Sequence, residues 1–325
     1  SNVGQPRLFD ACYASQPLEA VPAALTTLFE TTCARWYLTR RRWDDPEIDA
    51  QPETFEALYD QNQPDALTGN GRMTAPVNLR RRPDALACAM ERQKALDRDD
   101  LAVIKTAWLQ RLKGQAGLRV SKAALTAGKT YYAVTVPEMI RPLPWLPDPL
   151  EFIAAHRNQF PPPSIWAITH GDLHAGNILV DDEQRVWLID FFKTGWGPGL
   201  RDFAQLEAAV RVEMVATDHL AALAEFEMAC TQPLRLDEPV TFDNHFGHPD
   251  LDKALQVTLH IRRLANRVTE VSDMREYYVC MLYHTLRLVT WQGSQHLSGS
   301  LAARQSHALI SAGLICHRLE TWPEQ

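Results

Sequence analysis

The stretch Trp166-Ala-Ile-Thr-His170-Gly-Asp172-Leu-His174-Ala-Gly176-Asn177-Ile-Leu-Val180, continued by Val186-Trp-Leu-Ile-Asp190-Phe-Phe192, decides how this chain is read. Asp172 and Asn177 fall on a short polar loop between apolar, β-branched runs, and such runs make buried strands. Asp190 follows the run Val186–Ile189 and is predicted at a strand end, facing a cleft. The residue types form a set. Asp172 suits a base that accepts the proton of an attacking hydroxyl, and Asn177 with Asp190 offers the hard oxygen ligands that Mg²⁺ prefers.

The order His-x-Asp-x-x-x-x-Asn, then a strand, then a second Asp, matches the layout of eukaryotic-type kinases. With His170-Gly-Asp172 for His-Arg-Asp, and Ile189-Asp-Phe-Phe192 for Asp-Phe-Gly, the segment resembles the aminoglycoside phosphotransferase and choline kinase group over about residues 165–210. More weakly, it resembles kinase-like modules of bacterial multidomain signalling and conflict-system proteins. The resemblance implies a phosphotransferase that moves a phosphoryl group from ATP or GTP to a hydroxyl with Mg²⁺. It assigns Asp172, beside His170, as the catalytic pair and Asn177 and Asp190 as metal ligands. Two other readings compete. Gly171-Asp-Leu-His-Ala-Gly176 is close to a metallophosphatase segment, but the downstream Gly-Asp-x-x-Asp-Arg-Gly and Gly-Asn-His motifs of that group are absent. In the simplest reading, Asp172 and Asn177 only satisfy a turn.

Downstream, Thr194-Gly-Trp-Gly-Pro-Gly199 reads as a turn that leads into a helix carrying Leu200, Phe203, Leu206 and Val210. Asp202 opens that helix. In the resembled group an Asp at this place bonds back to the catalytic loop and holds it; capping its own helix is the alternative, and the two roles are compatible. Helices are predicted at about 215–230, 250–270, 273–292 and 301–320, with Gly293 as a C-cap. His260, His284, His307 and His317 have no paired spacing and are read as core or surface residues rather than ligands.

Upstream, Asp148-Pro149 predicts the start of a helix over 150–157, and Leu118–Ala124 with Thr130–Val136 predicts a hairpin about Ala127-Gly128. A helix is expected over 17–38, with Pro22 in its first turn. Gln51–Pro76 reads as an irregular connection, and Asp84–Leu112 as helices broken near 97–100. Gly69-Asn-Gly71 with Lys105 is a weak candidate for a nucleotide loop and its lysine, because the surrounding pattern is helical rather than stranded. Arg40-Arg-Arg42 and Arg80-Arg-Arg82 read as solvated faces, with an acidic partner as the alternative.

The 325 residues, 46% hydrophobic, are enough for a sizeable core, and the net charge of −7 argues against non-specific nucleic-acid binding. No apolar run reaches eighteen residues, so no membrane span is predicted. Six scattered cysteines without a Cys-x-x-Cys pair fit reduced thiols in the cytoplasm. The expected fold class is α+β, mainly α: a protein-kinase-like large lobe with a small β-hairpin insertion. Residues 1–164 form its helical part with the insertion near 118–136, and 165–325 form the catalytic-loop region and C-terminal helices. No Gly-rich sheet of a small lobe is found, so that lobe is expected upstream of residue 1. Weak or no binding of Mg-nucleotide by this stretch alone is expected, and a catalytically inactive scaffold module is the alternative. The hydroxyl acceptor, small molecule or protein, is not legible.

Overall fold

A computed structural model describes residues 5–17, 20–45, 85–92, 103, 119–126, 129–290 and 300–323. The candidate loop Gly69-Asn-Gly71, Lys105, the triplet Arg80–Arg82 and Gly293 lie outside the described residues. In chain order the elements are β1 (Arg7–Leu8), α1 (Phe9–Ser15), α2 (Ala20–Thr27), α3 (Ala34–Leu38), β2 (Arg41–Arg42), α4 (Ala85–Arg92), β3 (Arg119–Thr126), β4 (Lys129–Thr135), β5 (Leu146–Pro147) and α5 (Pro149–His156). They continue with β6 (Ile165–Thr169), β7 (Ile178–Val180), β8 (Val186–Leu188), β9 (Gly195–Pro198), α6 (Arg201–Ala208), α7 (Leu220–Cys230), α8 (Pro249–Thr269), α9 (Met274–Thr290) and α10 (Leu301–Glu320). The protein is mixed α/β and mainly helical, with small antiparallel sheets.

Among the described residues, three sheets of three strands each are ordered β1-β7-β8, β2-β6-β9 and β3-β4-β5. The first two position the central loop. β6 enters it paired with β9, Thr169 opposite Gly195, and β7 leaves it paired with β8, Ile178 opposite Leu188. The predicted hairpin and the capped helix are both present. β3 pairs with β4, and the Asp148 carboxylate accepts from the amides of Leu150 and Glu151 while Pro149 occupies the first turn of α5.

Two expectations need correction. The segment 195–198 was expected to be a turn and is a buried strand, β9. Glycine allows it: a Cβ on Gly199 would come 2.5 Å from Cδ1 of Ile165, so only a residue without one lets this chain lie against β6. The single helix expected over 17–38 is interrupted. α2 passes into a π-helical turn, Leu28–Thr32, and the chain restarts as α3 after Cys33. A π turn rotates the following side chains. Here it places Phe29 on Phe203 of α6, with ring centroids 4.0 Å apart, and Tyr37 of α3 beside the same ring at 5.3 Å. The early chain also contributes strands the sequence hid, β1 on β7 and β2 on β6, each of two residues.

α9 lies at the centre of the helical part: every residue from Glu276 to Leu286 is buried. A helix apolar on all sides belongs inside a core. Within that core, Arg211 and Arg262 meet Glu207 and Glu227, all four fully buried. Arg262 Nη2 donates to Glu207 at 2.6 Å, Arg211 Nη1 donates to Glu207 at 2.8 Å, and a second Arg211 nitrogen donates to Glu227. Tyr277, His307 and Ser311 complete the carboxylate shells at 2.7, 2.9 and 2.5 Å. Two cations against two anions make the cluster neutral, and it joins α6, α7, α8, α9 and α10. Among the described residues no helix is long and apolar enough to cross a membrane.

Candidate functional site

The loop His170–Asn177 is held from below by Asp202, in the first turn of α6. Its carboxylate accepts from the main-chain N–H of His170 at 2.6 Å and of Gly171 at 2.9 Å, and Tyr37 donates its hydroxyl to the same group at 3.5 Å. Asp202 and His170 are both fully buried. Thr194 donates to the carbonyl of His170 at 3.1 Å, and Arg201 donates to the carbonyl of Gly171. Gly171 is required at its position: its φ is +79°, and a Cβ there would fall 2.2 Å from the carbonyl oxygen of Lys193.

Two bonds fix the other side of the loop. Nε2 of His170 lies 2.9 Å from the carbonyl of Ile189, and the amide of Ile189 donates to the carbonyl of Asn177 at 3.1 Å. Ile189 is thus tied to both ends of the loop, and Asp190 is the next residue. The Asp190 backbone is left-handed, at φ 61°, which is strained for a residue with a Cβ and tolerated best by Asn and Asp. Its side chain is exposed. Asn177 is buried, and its amide nitrogen donates to the carbonyl of Asp172 at 2.9 Å, which directs the amide oxygen elsewhere as an acceptor.

Asp172 is half-buried. Lys193 donates to one of its oxygens at 2.6 Å and Gln205 to the other at 3.0 Å. Burial alone would push this carboxyl up, but the hydrogen bond and charge of Lys193, with help from Gln205 and His174, outweigh it and hold the pKa at about 2. Burial lowers the Lys193 ammonium against the opposing pull of Asp172, and burial likewise lowers His174. The guanidinium of Arg201 is pressed down to about 10 by complete burial, despite Asp202 and Asp172 nearby.

The candidate donors fit one kind of metal site. Among the described residues no three His, Cys, Asp or Glu side chains cluster as a metal cage, and both oxygens of Asp172 are engaged. What remains is one amide oxygen and one exposed carboxylate, Asn177 and Asp190. That pair fits Mg²⁺, which keeps its waters and relies on phosphate oxygens to complete its octahedron, rather than Zn²⁺ or Ca²⁺. The alternation His170, Asp172, His174 expected of a metallophosphatase strand is absent, because these residues lie on a loop with the His174 ring turned to its own Gly176 amide at 3.1 Å.

The structure therefore joins His170, Asp172, Asn177 and Asp202 by direct bonds and brings Asp190 in through Ile189. It does not bring in Arg40–Arg42. There Arg40 pairs with Glu270 at 2.6 Å, Arg42 with Asp44 at 3.4 Å and Arg41 with Asp45 at 3.9 Å, so these charges meet acids of the chain itself. Sequence reasoning missed Lys193, Gln205, Arg201 and His284. Lys193 had a legible signal, three residues past Asp190; His284 had none, because its place on α9 reads as core.

A family model described as ternary complex associated domain 9 matches residues 138–288. No curated protein and no solved structure matches the chain.

Proposed function

We propose that this chain is the large lobe of a phosphotransferase of the aminoglycoside phosphotransferase and choline kinase type, using Mg²⁺ and ATP or GTP. The observation that carries the reading is the double tie of Ile189. One bond to His170 and one to Asn177 deliver a strained Asp190 to the rim of a loop that Asp202 holds from beneath. Asn177 and Asp190 would hold the Mg²⁺, whose charge neutralises the phosphates. The acceptor hydroxyl oxygen forms the new bond to phosphorus while its proton passes to Asp172. The bond from that phosphorus to the bridging oxygen breaks, and its electron pair leaves with the nucleoside diphosphate. Positioning supplies most of the rate in such chemistry. The buried free thiols of Cys12, Cys33, Cys230, Cys280 and Cys316 support a reducing, cytoplasmic setting.

A second reading has its own support: a kinase-like module that holds a partner. The matched family is described as ternary complex associated, and both oxygens of Asp172 are occupied by this chain's own side chains. One experiment separates the two. Mg-ATP is titrated calorimetrically into this chain and into the complete gene product, each as the unaltered sequence and as Asp190→Ala, with phosphoryl transfer followed in parallel. The phosphotransferase reading expects weak or no binding by a chain without a small lobe and, in the complete gene product, Mg-dependent binding that Asp190→Ala weakens at least tenfold, with turnover abolished. A complete gene product that ignores Mg-ATP would leave the partner-holding module, and one that turns over equally well as Asp190→Ala would overturn Asp190 as a metal ligand.

A further inference from the structure

Lys193 stands where the two halves of the site meet. It closes the short helical turn Phe191–Lys193 that begins at Asp190. Its main chain is locked to the loop: Thr194, the next residue, donates its hydroxyl to the carbonyl of His170 at 3.1 Å, and the Lys193 carbonyl lies so close over Gly171 that no Cβ fits between them. From this anchor Nζ reaches Oδ2 of Asp172 at 2.6 Å. Both side chains keep 18% of their surface exposed, so the pair faces an opening rather than the core. An ammonium carries three N–H donors. Asp172 takes one, and among the described residues the other two have no acceptor.

We infer that Lys193 is a further catalytic residue, which donates hydrogen bonds to the oxygens of the phosphoryl group in transit while Asp172 receives the hydroxyl proton. The inference rests on the phosphotransferase reading and deepens it. Each carboxylate oxygen accepts more than one bond, so Lys193 and Gln205 leave Asp172 able to take a hydroxyl as well. That hydroxyl oxygen lies within about 3 Å of the carboxylate, and the phosphorus it attacks within about 3–3.5 Å of the hydroxyl. Nζ, on the same carboxylate and on its open side, is then within reach of the equatorial phosphoryl oxygens. The timing favours the transition state. As the new bond to phosphorus forms, Asp172 gains a proton and loses its charge, which frees the ammonium just as negative charge spreads over the phosphoryl oxygens. Lys193 keeps all its protons and forms no covalent bond.

The test reads binding, not turnover. Mg-ADP is titrated calorimetrically into the complete gene product with and without aluminium fluoride, which stands in for the phosphoryl group in transit. The variants are Lys193→Met, which keeps the apolar stem, Lys193→Arg, Asp172→Asn, and Lys193→Met combined with Asp172→Asn. All should bind Mg-ADP alike. Lys193→Met should bind the aluminium fluoride complex at least tenfold more weakly than the unaltered sequence, Lys193→Arg should recover part of that loss, and the loss should persist in the Asp172→Asn background. Equal affinity of Lys193→Met and the unaltered sequence for the aluminium fluoride complex would overturn the proposal. So would a loss that vanishes once Asp172 is Asn, since Lys193 would then act only by positioning Asp172. Either result, with Mg-ADP still bound, leaves the phosphotransferase reading standing, whereas a complete gene product that binds neither form of Mg-ADP overturns both.

Discussion

Asp202 does at the scale of one residue what no neighbour can replace, because its two oxygens are the acceptors for two consecutive buried amides, those of His170 and Gly171. Asp202→Ala strands both N–H groups, each worth about 1–3 kcal/mol when buried unpaired. Chemical denaturation should show a loss of about 2–5 kcal/mol, and hydrogen exchange should show the amides of 170 and 171 losing protection. Asp202→Asn retains one acceptor and should lose less. Glu276 gives a separate residue-scale prediction. Burial raises its carboxyl to about 7 from an ordinary 4.5, against the pull of the Ser164 amide that donates to it at 2.7 Å. The folded-state pKa lies above the unfolded one. This contribution to stability is therefore complete below about pH 4.5 and is lost as the pH rises through 7, by an amount on the order of 3 kcal/mol. Glu276→Gln should remove that decline, seen as a flatter dependence of melting temperature on pH between 5 and 8.

At the scale of elements, the helical part is registered by charge as well as by apolar packing. Glu207 leaves α6, Arg211 the π-helical turn Ala209–Glu213 that follows it, Glu227 α7 and Arg262 α8, and all meet without solvent. Such a cluster adds less net stability than its bonds suggest, because both charges of each pair were stripped of water, but removing one partner exposes the rest to that cost. Arg262→Met should destabilise by about 3–5 kcal/mol in urea unfolding. The double variant Arg262→Met with Glu207→Leu should lose less than the sum of the two single changes, since neither charge is then left alone. Charge type at these positions was plain in the sequence, but on a helical pattern alone a buried Arg reads as solvent-facing.

For the whole molecule, the region of the central loop and the N-terminal part share one core. β1 is completed by β7 and β2 by β6, Phe29 stacks on Phe203, and a single apolar cluster runs from Phe9 to Cys316. Cutting the chain between residues 164 and 165 should therefore give two pieces that do not unfold cooperatively alone. Circular dichroism melts of each piece, and of the two mixed, would check this. A sharp melt from residues 165–325 alone would mean that the early strands and helices are accessory.

The sequence by itself determined what local covalent spacing controls. It placed the strand-loop-strand about Asp172 and Asn177, the cap at Asp148, the hairpin and the long C-terminal helices, since each depends on residues within a few positions of one another. Only the tertiary structure decided the rest. A Gly-Pro segment that reads as a turn becomes β9 because β6 offers it unpaired backbone, and a helix gains a π turn because Phe29 has to reach Phe203. Lys193, Gln205, Arg201 and His284 converge on Asp172 from positions up to 112 residues away. That convergence is fixed by how α6 and α9 pack, a long-range contact that leaves no periodicity in the chain to be read.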